Sequence, residues 1–129
     1  MTLYQQKLKI LQSSLYKNQA QIDAVKAIRN YINLHYKIDL NLDLLSEKHF
    51  ISKYHLLRLF KQYYGLTPRQ YLMDRRVAMA KKHLQSGHTV TETCFAVGFK
   101  SLGSFSMLFK TKTGQSPSQF QKEQLSRST

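Results

Sequence analysis

Both prolines of this 129-residue chain sit in the same local phrase, 49 residues apart. The first runs Phe60-Lys61-Gln62-Tyr63-Tyr64-Gly65-Leu66-Thr67-Pro68-Arg69-Gln70-Tyr71, and the second Phe109-Lys110-Thr111-Lys112-Thr113-Gly114-Gln115-Ser116-Pro117-Ser118-Gln119-Phe120. Aligned from Ser52 and from Ser101, the twenty residues ending at Tyr71 and Phe120 share seven identities: Ser, Leu, Phe, Lys, Gly, Pro and Gln. Chance would give about one or two, so the chain carries an internal duplication. Its fold must build one supersecondary unit twice.

Each phrase has the same mechanics. An amphipathic helix runs up to a glycine that can take the left-handed conformation after the last turn. Thr67 or Ser116 then stands as N-cap, proline takes the first helical position, and Gln70 or Gln119 is placed to close a capping box. Upstream of each phrase lies a short helix, capped by Asn41 over Leu42 to Lys48 and by Thr89 with Glu92 over Val90 to Val97. A tight turn follows, at His49-Phe50-Ile51 and at Gly98-Phe99-Lys100. Two short helices on such a turn make a helix-turn-helix. Between the two lies a helix from Pro68 that carries Tyr71, Leu72, Arg75, Val77, Ala78, Ala80 and Leu84 and stops near Gly87. Ahead of them, Ile22, Val25, Ile28 and Ile32 mark a helix ending near His35-Tyr36, and the first eighteen residues read as a separate one with Tyr4, Leu8, Leu11 and Leu15 on one seam. The expected class is all-α with about seven or eight helices. The expected divisions are an N-terminal helical extension (1–18), a first helix-turn-helix subdomain (19–66), a linker helix (67–87), and a second helix-turn-helix subdomain with its tail (88–129).

Charge narrows the partners. Twenty Lys and Arg against seven acids give a formal net charge of +13, while 42% hydrophobic and 12% aromatic content supplies a packed core that a disordered basic tail would lack. Nucleic acid, an anionic membrane surface or an acidic protein remain as partners. No apolar run reaches the length of a membrane span or a secretory signal. A continuous basic amphipathic face is what a membrane surface would select, whereas here the charges follow the two repeats. The one cysteine, Cys94, excludes a disulfide scaffold and fits a reducing compartment.

From about Gln19 to Phe120 the chain resembles the DNA-binding domain of the AraC/XylS family of bacterial transcription regulators. The resemblance is carried by Ser52 through Lys61 (Ser-Lys-Tyr-His-Leu-Leu-Arg-Leu-Phe-Lys), Gly65-Leu66-Thr67-Pro68 with Tyr71-Leu72, Arg76 with Ala80, Gly98-Phe99, Phe105, Phe109-Lys110, Gly114 and Ser116-Pro117. It implies two helix-turn-helix units on a rigid linker helix, gripping adjacent major-groove segments with recognition helices at about 52–63 and 101–113. It also implies a cytoplasmic, nucleoid-associated regulator with RNA polymerase as a further partner. The chain departs from the family's usual pattern at Phe50 in the first turn, at Thr93-Cys94, and at Gly103 and Met107 in the second recognition helix.

In the first recognition helix, Leu56, Leu59, Phe60 and Tyr63 recur at core spacing. The opposite face shows Lys53, Tyr54, Leu57, Arg58 and Lys61, with Ser52 at its start. Arg58 carries the paired donors that match guanine O6 and N7, while Leu57 and the Tyr54 ring suit a thymine methyl. Lys53 and Lys61 lie towards the ends, where phosphates run. The second helix buries Phe105, Leu108 and Phe109 and turns outward Leu102, Gly103, Ser106, Met107 and Lys110, with Lys100, Ser101 and Ser104 near its start. None of these is a bidentate donor, so phosphate anchoring, apolar contact and DNA shape are its expected readout. Arg75, Arg76, Lys81 and Lys82 on the linker helix are phosphate or core-bridging candidates, with Arg76 expected to bond internally.

Catalysis has no constellation to run on. His35, His49, His55, His83 and His88 show no metal-ligand spacing, carboxylate pairs for acid–base work are absent, and Cys94 reads as a small packed core residue. No catalytic residue, metal or cofactor is expected. The leading reading is a sequence-specific double-stranded DNA-binding regulator, standing alone or as the module of a larger sensor-regulator. The alternative is the DNA-binding part of a repair methyl-acceptor protein, with Cys94 as the acceptor. Self-association through residues 3–15 is a further expectation.

Overall fold

The computed structural model describes residues 2–127, which form seven helices and no strand. These are α1 (Leu3–His35), α2 (Leu42–Lys48), α3 (Lys53–Tyr64), α4 (Pro68–Gln85), α5 (Val90–Ala96), α6 (Leu102–Thr113) and α7 (Pro117–Arg127). The expected all-α class with two helix-turn-helix pairs is what the chain forms. Met1 and the last two residues of the predicted tail lie outside the described residues. The chain divides into two compact units, Met1–Tyr31 with Asn41–Pro68, and Ile32–Leu40 with Arg69–Thr129.

At the N-terminus the structure departs from the sequence reading. The predicted extension and the helix after it are one continuous helix, α1, of 33 residues. Nothing between Tyr16 and Gln19 is a glycine, a proline or a usable stop, so backbone bonding propagates through the junction once the following turns are fixed.

In the first unit Val25, Ile28, Leu45, Leu56, Leu59 and Phe60 are buried. Asn41 caps α2, its side-chain oxygen accepting from Leu44 N at 2.8 Å, and Ser52 caps α3 by accepting from His55 N at 3.2 Å. Gly65 ends α3 at φ 73°, and its N–H donates to Lys61 O at 2.8 Å. Tyr63, placed on the core face by spacing, is 39% exposed. Tyr64 takes that role: it lies one turn from Phe60, the two ring centres are 4.8 Å apart, and the Arg29 guanidinium sits 5.4 Å over its ring. The helical period allows either ring, and the inward step falls at i+4 rather than i+3 from Phe60.

The two tight turns differ by one residue. Ile51 N donates to Ser46 O at 3.2 Å and Phe99 N to Cys94 O at 3.1 Å, so Phe50 (φ 53°) and Gly98 (φ 101°) occupy the same left-handed corner. After that corner the first turn needs two residues to reach α3, and the second needs three to reach α6.

The second unit has its own core. Four rings run in series, Phe99–Phe105, Phe105–Phe109 and Phe109–Phe120, with centres 5.2, 5.8 and 5.4 Å apart. Leu72, Val77, Ala80, Leu84, Cys94 and Val97 are buried in the same unit. Thr89, Ser101 and Ser116 cap α5, α6 and α7 by accepting from Glu92 N, Ser104 N and Gln119 N. The return half of two expected capping boxes is redirected. The Glu92 carboxylate lies 3.4 Å from His88 Nδ1, and the Gln119 amide reaches Glu123 Oε1 at 3.4 Å. An exposed cap N–H has water available, so these side chains take the better partner. Gln121 ties α7 to the end of α4, donating to Leu84 O and His88 O.

Arg76 is the internal bridge expected of it. It is 6% exposed; Nε donates to Tyr36 O at 2.7 Å and Nη2 to Ile38 O at 2.9 Å, and its guanidinium lies 5.5 Å over the Phe99 ring. Burial lowers its pKa from the ordinary arginine value, but never far enough to remove the charge. A Cβ on Gly98 would meet Lys37 O at 2.9 Å and the Arg76 guanidinium at 3.1 Å, so Gly98 is needed for space as well as for φ.

Candidate nucleic-acid interface

α3 and α6 are built alike. A serine stands at the N-cap, twelve residues follow, the inward face is apolar, and a left-handed glycine closes the end. Burial on one side and caps at both ends leave the other side of each helix rigid and exposed.

On α3 the outward residues are unequal. Tyr54 is 88% exposed, Arg58 and Lys61 are exposed, and Leu57 is half-buried. Ser52, Tyr54, His55 and Arg58 line a surface depression of about 490 Å³. His55 was missed by the sequence reading, although it lies three residues before Arg58 and three after Ser52, a spacing that puts all three on one side of the helix. Arg58 makes no hydrogen bond or ion pair among the described residues, so its five donors stand ready for a ligand. Lys53 is different, because it pairs with Asp43 of α2.

On α6, Leu102, Gly103, Ser104, Met107 and Lys110 are exposed, and Ser106 is half-buried. Leu108, read as fully inward, is half-buried. Met107, 69% exposed against 41% for Leu102, is the most exposed apolar side chain on that face. Gly103 has ordinary φ and open space around the site of a Cβ, so neither packing nor backbone requires glycine there. Lys100, just before the Ser101 cap, donates to Asp39 Oδ2 at 2.9 Å, and this bond holds the Asp39 carboxyl below its usual range. In both units, then, the lysine beside the capping serine is held by an aspartate. Such exposed pairs are weak, and a phosphate can displace the carboxylate at small cost.

The linker-helix cations divide by role. Arg76 is committed to the interior, Arg75 lies over the Tyr36 ring at 5.6 Å, and Lys82 is exposed. Cys94 is fully buried, its thiol 3.4 Å from Ser101 O, and burial pushes its pKa up. A methyl acceptor must be an accessible thiolate, and Cys94 is neither accessible nor activated. Among the described residues no group of three His, Cys, Asp or Glu is placed to hold a metal, and no helix is long and apolar enough to cross a membrane.

Residues 45–123 match a family of helix-turn-helix domains. The chain is 36% identical over 97 residues to the bifunctional transcriptional activator/DNA repair enzyme AdaA of Bacillus subtilis, a stretch covering 74% of this chain and 46% of that protein. It is similar to the C-terminal domain of AraT, a response regulator from Geobacillus stearothermophilus, with 30% identity and a TM-score of 0.75 over 78% of this chain and 84% of that one. The fold is also that of the DNA-binding domain of AdpA, solved in complex with a target DNA, with 22% identity and a TM-score of 0.76 over 80% and 94% of the two chains. This chain spans less than half the length of the curated relatives it matches.

Proposed function

The chain belongs to the AraC-type helix-turn-helix family, and from that premise we propose that it binds double-stranded DNA sequence-specifically and regulates transcription. α3 is the principal reader and α6 the anchor. The observation that carries this reading is Arg58, an exposed and unpaired guanidinium on a helix whose inward face and two caps hold it rigid. A preorganised fork of donors suits the O6/N7 edge of guanine. Tyr54 and Leu57 beside it supply apolar surface for a thymine methyl, and Lys61 faces phosphate. On α6, Met107, Gly103 and Ser106 touch base edges without a paired donor, while Lys100, Ser101, Ser104 and Lys110 hold the backbone. Lys53 and Lys100 exchange their aspartates for phosphates on binding.

Selection of bound duplexes from a random pool tests the proposal. The expected product is an asymmetric motif with at least one strongly required guanine under α3 and a weaker, shape-dependent preference under α6. A pool that emerges without any motif overturns it.

A further inference from the structure

The N-terminal half of α1 has nothing over it. Residues 2–20 are exposed throughout, and Tyr4, Leu8, Leu11 and Leu15 are 74%, 41%, 56% and 60% exposed. Their 4–3–4 spacing is that of alternating d and a positions, and at the helical pitch it confines them to an arc of about 60°. Leu3, Ile10 and Tyr16 are also exposed but scatter outside that arc, so the only contiguous apolar row among the described residues of this segment is a narrow one, the seam of a coiled coil rather than the broad face of a helix lying on a core. The same register runs on through Asn18 to Ile22, half-buried, and Val25, buried within the first unit. The covered part of the seam thus passes without a break into an uncovered part.

We infer that the uncovered part is closed by the same segment of a second copy of this chain, in a two-stranded coiled coil over residues 4–18. Three observations select that occupant. First, the residues flanking the seam are Gln5, Lys7, Gln12, Ser14 and Gln19, nearly neutral in a chain of net charge +13, so two copies meet without the repulsion the rest of the surface would impose. An acidic partner would have called for basic flanks instead. Second, a helix lying on a membrane needs a wide apolar face and a continuous Lys/Arg-rich polar one, whereas here Lys9 and Lys17 are interrupted by Gln6, Ile10, Ser13 and Tyr16 on the side away from the seam. Third, four seam side chains on each of two copies, at roughly 100 Å² apiece, bury about 800 Å², and the stems of the flanking residues bring the total towards the ~1,200 Å² floor of specific interfaces. An interface of that size, below the usual floor, fits a weak and reversible dimer, populated when copies are brought together. The inference stands apart from the DNA-binding reading, because none of its residues lies on α3 or α6.

Sedimentation equilibrium on the whole chain tests it, over a concentration range of about 1–200 µM. A monomer–dimer equilibrium is expected. Leu11→Glu should raise the dissociation constant by about tenfold or more while leaving the thermal melt of the two units unchanged. Tyr16→Glu, on the same exposed helix but off the seam, should leave the equilibrium as it was. Three results would overturn the proposal: a monomer across the whole range, equal weakening by both substitutions, or association that appears only with phosphatidylglycerol vesicles.

Discussion

Arg58 and Met107 hold corresponding places in the two repeats, 49 residues apart, and the difference in their chemistry is what the proposed division of labour between the units rests on. Arg58→Ala should cost about 1–3 kcal/mol on the preferred site and relax the preference at one base pair, while Met107→Ala costs less, because a thioether offers only soft apolar contact. Affinities of both variants for the selected site and for random duplex decide this, since an equal loss on both duplexes would make Arg58 a phosphate contact. Phe50 is the opposite kind of residue, 98% exposed and held at a φ of 53°. A left-handed L-residue costs roughly 1–2 kcal/mol, and glycine gives back about 0.5–1 through its unfolded-state entropy. Phe50→Gly should therefore stabilise the fold by about 0.5–1 kcal/mol, readable as a rise of a few degrees in Tm. The matching corner of the second unit, Gly98, already has that solution.

At the scale of elements, the second unit hangs on the way α4 holds the segment between α1 and α2. Arg76 satisfies two carbonyls of that segment, and Gly98 lets the α5–α6 turn lie against the same guanidinium. Lysine carries the charge but not the fork, so Arg76→Lys leaves one carbonyl unserved and should cost about 2 kcal/mol. Gly98→Ala combines a forbidden φ with a Cβ 2.9 Å from Lys37 O and should cost at least as much. Urea unfolding of each variant measures both losses, and because both residues act at one guanidinium the double variant should fall short of their sum. An additive pair would mean that the two side chains act independently. On α6 the tie to α4 is an ion pair near its C-terminal end, Lys112 with Asp74, and Gly103, Ser104, Met107 and Lys110 are left exposed.

For the whole molecule the decisive facts are a net charge of +13 and two helix-turn-helix pairs on a single chain. With about six phosphates contacted, log K should fall against log salt with a slope near −5, which titrations at several salt concentrations will show. Linking two weak readers covalently also makes the second binding event intramolecular. The α4 helix between them has 18 residues, a rise of about 27 Å at the usual pitch, and cannot stretch. Inserting five base pairs between the two contacted segments should therefore collapse affinity to that of one unit, and ten inserted pairs should not restore it. Binding undiminished by the five-pair insertion would show that the units do not read DNA together.

The duplication, the capping serines, the glycine stops and the core spacing of Phe105 and Phe109 are local signals. Each is fixed by backbone stereochemistry or by helical periodicity, so helix order and the two helix-turn-helix pairs were legible without a structure. What needed tertiary structure were the choices between partners that are equally near in sequence. Tyr64 rather than Tyr63 meets Phe60, because i+3 and i+4 both satisfy helical spacing and only packing chooses between them. Lys53 and Lys100 find Asp43 and Asp39, the second of these 61 residues away, and His55 joins Arg58 at a surface depression that spacing alone did not single out. The continuity of α1 also lay beyond local reading, since a polar stretch without a stop is helical only when the turns beyond it are already fixed. Sequence thus determined which elements form and which faces they bury. Only packing decided which long, flexible side chains are spent inside the protein and which stay unpaired on the surface, because that depends on distances between elements that no local pattern encodes.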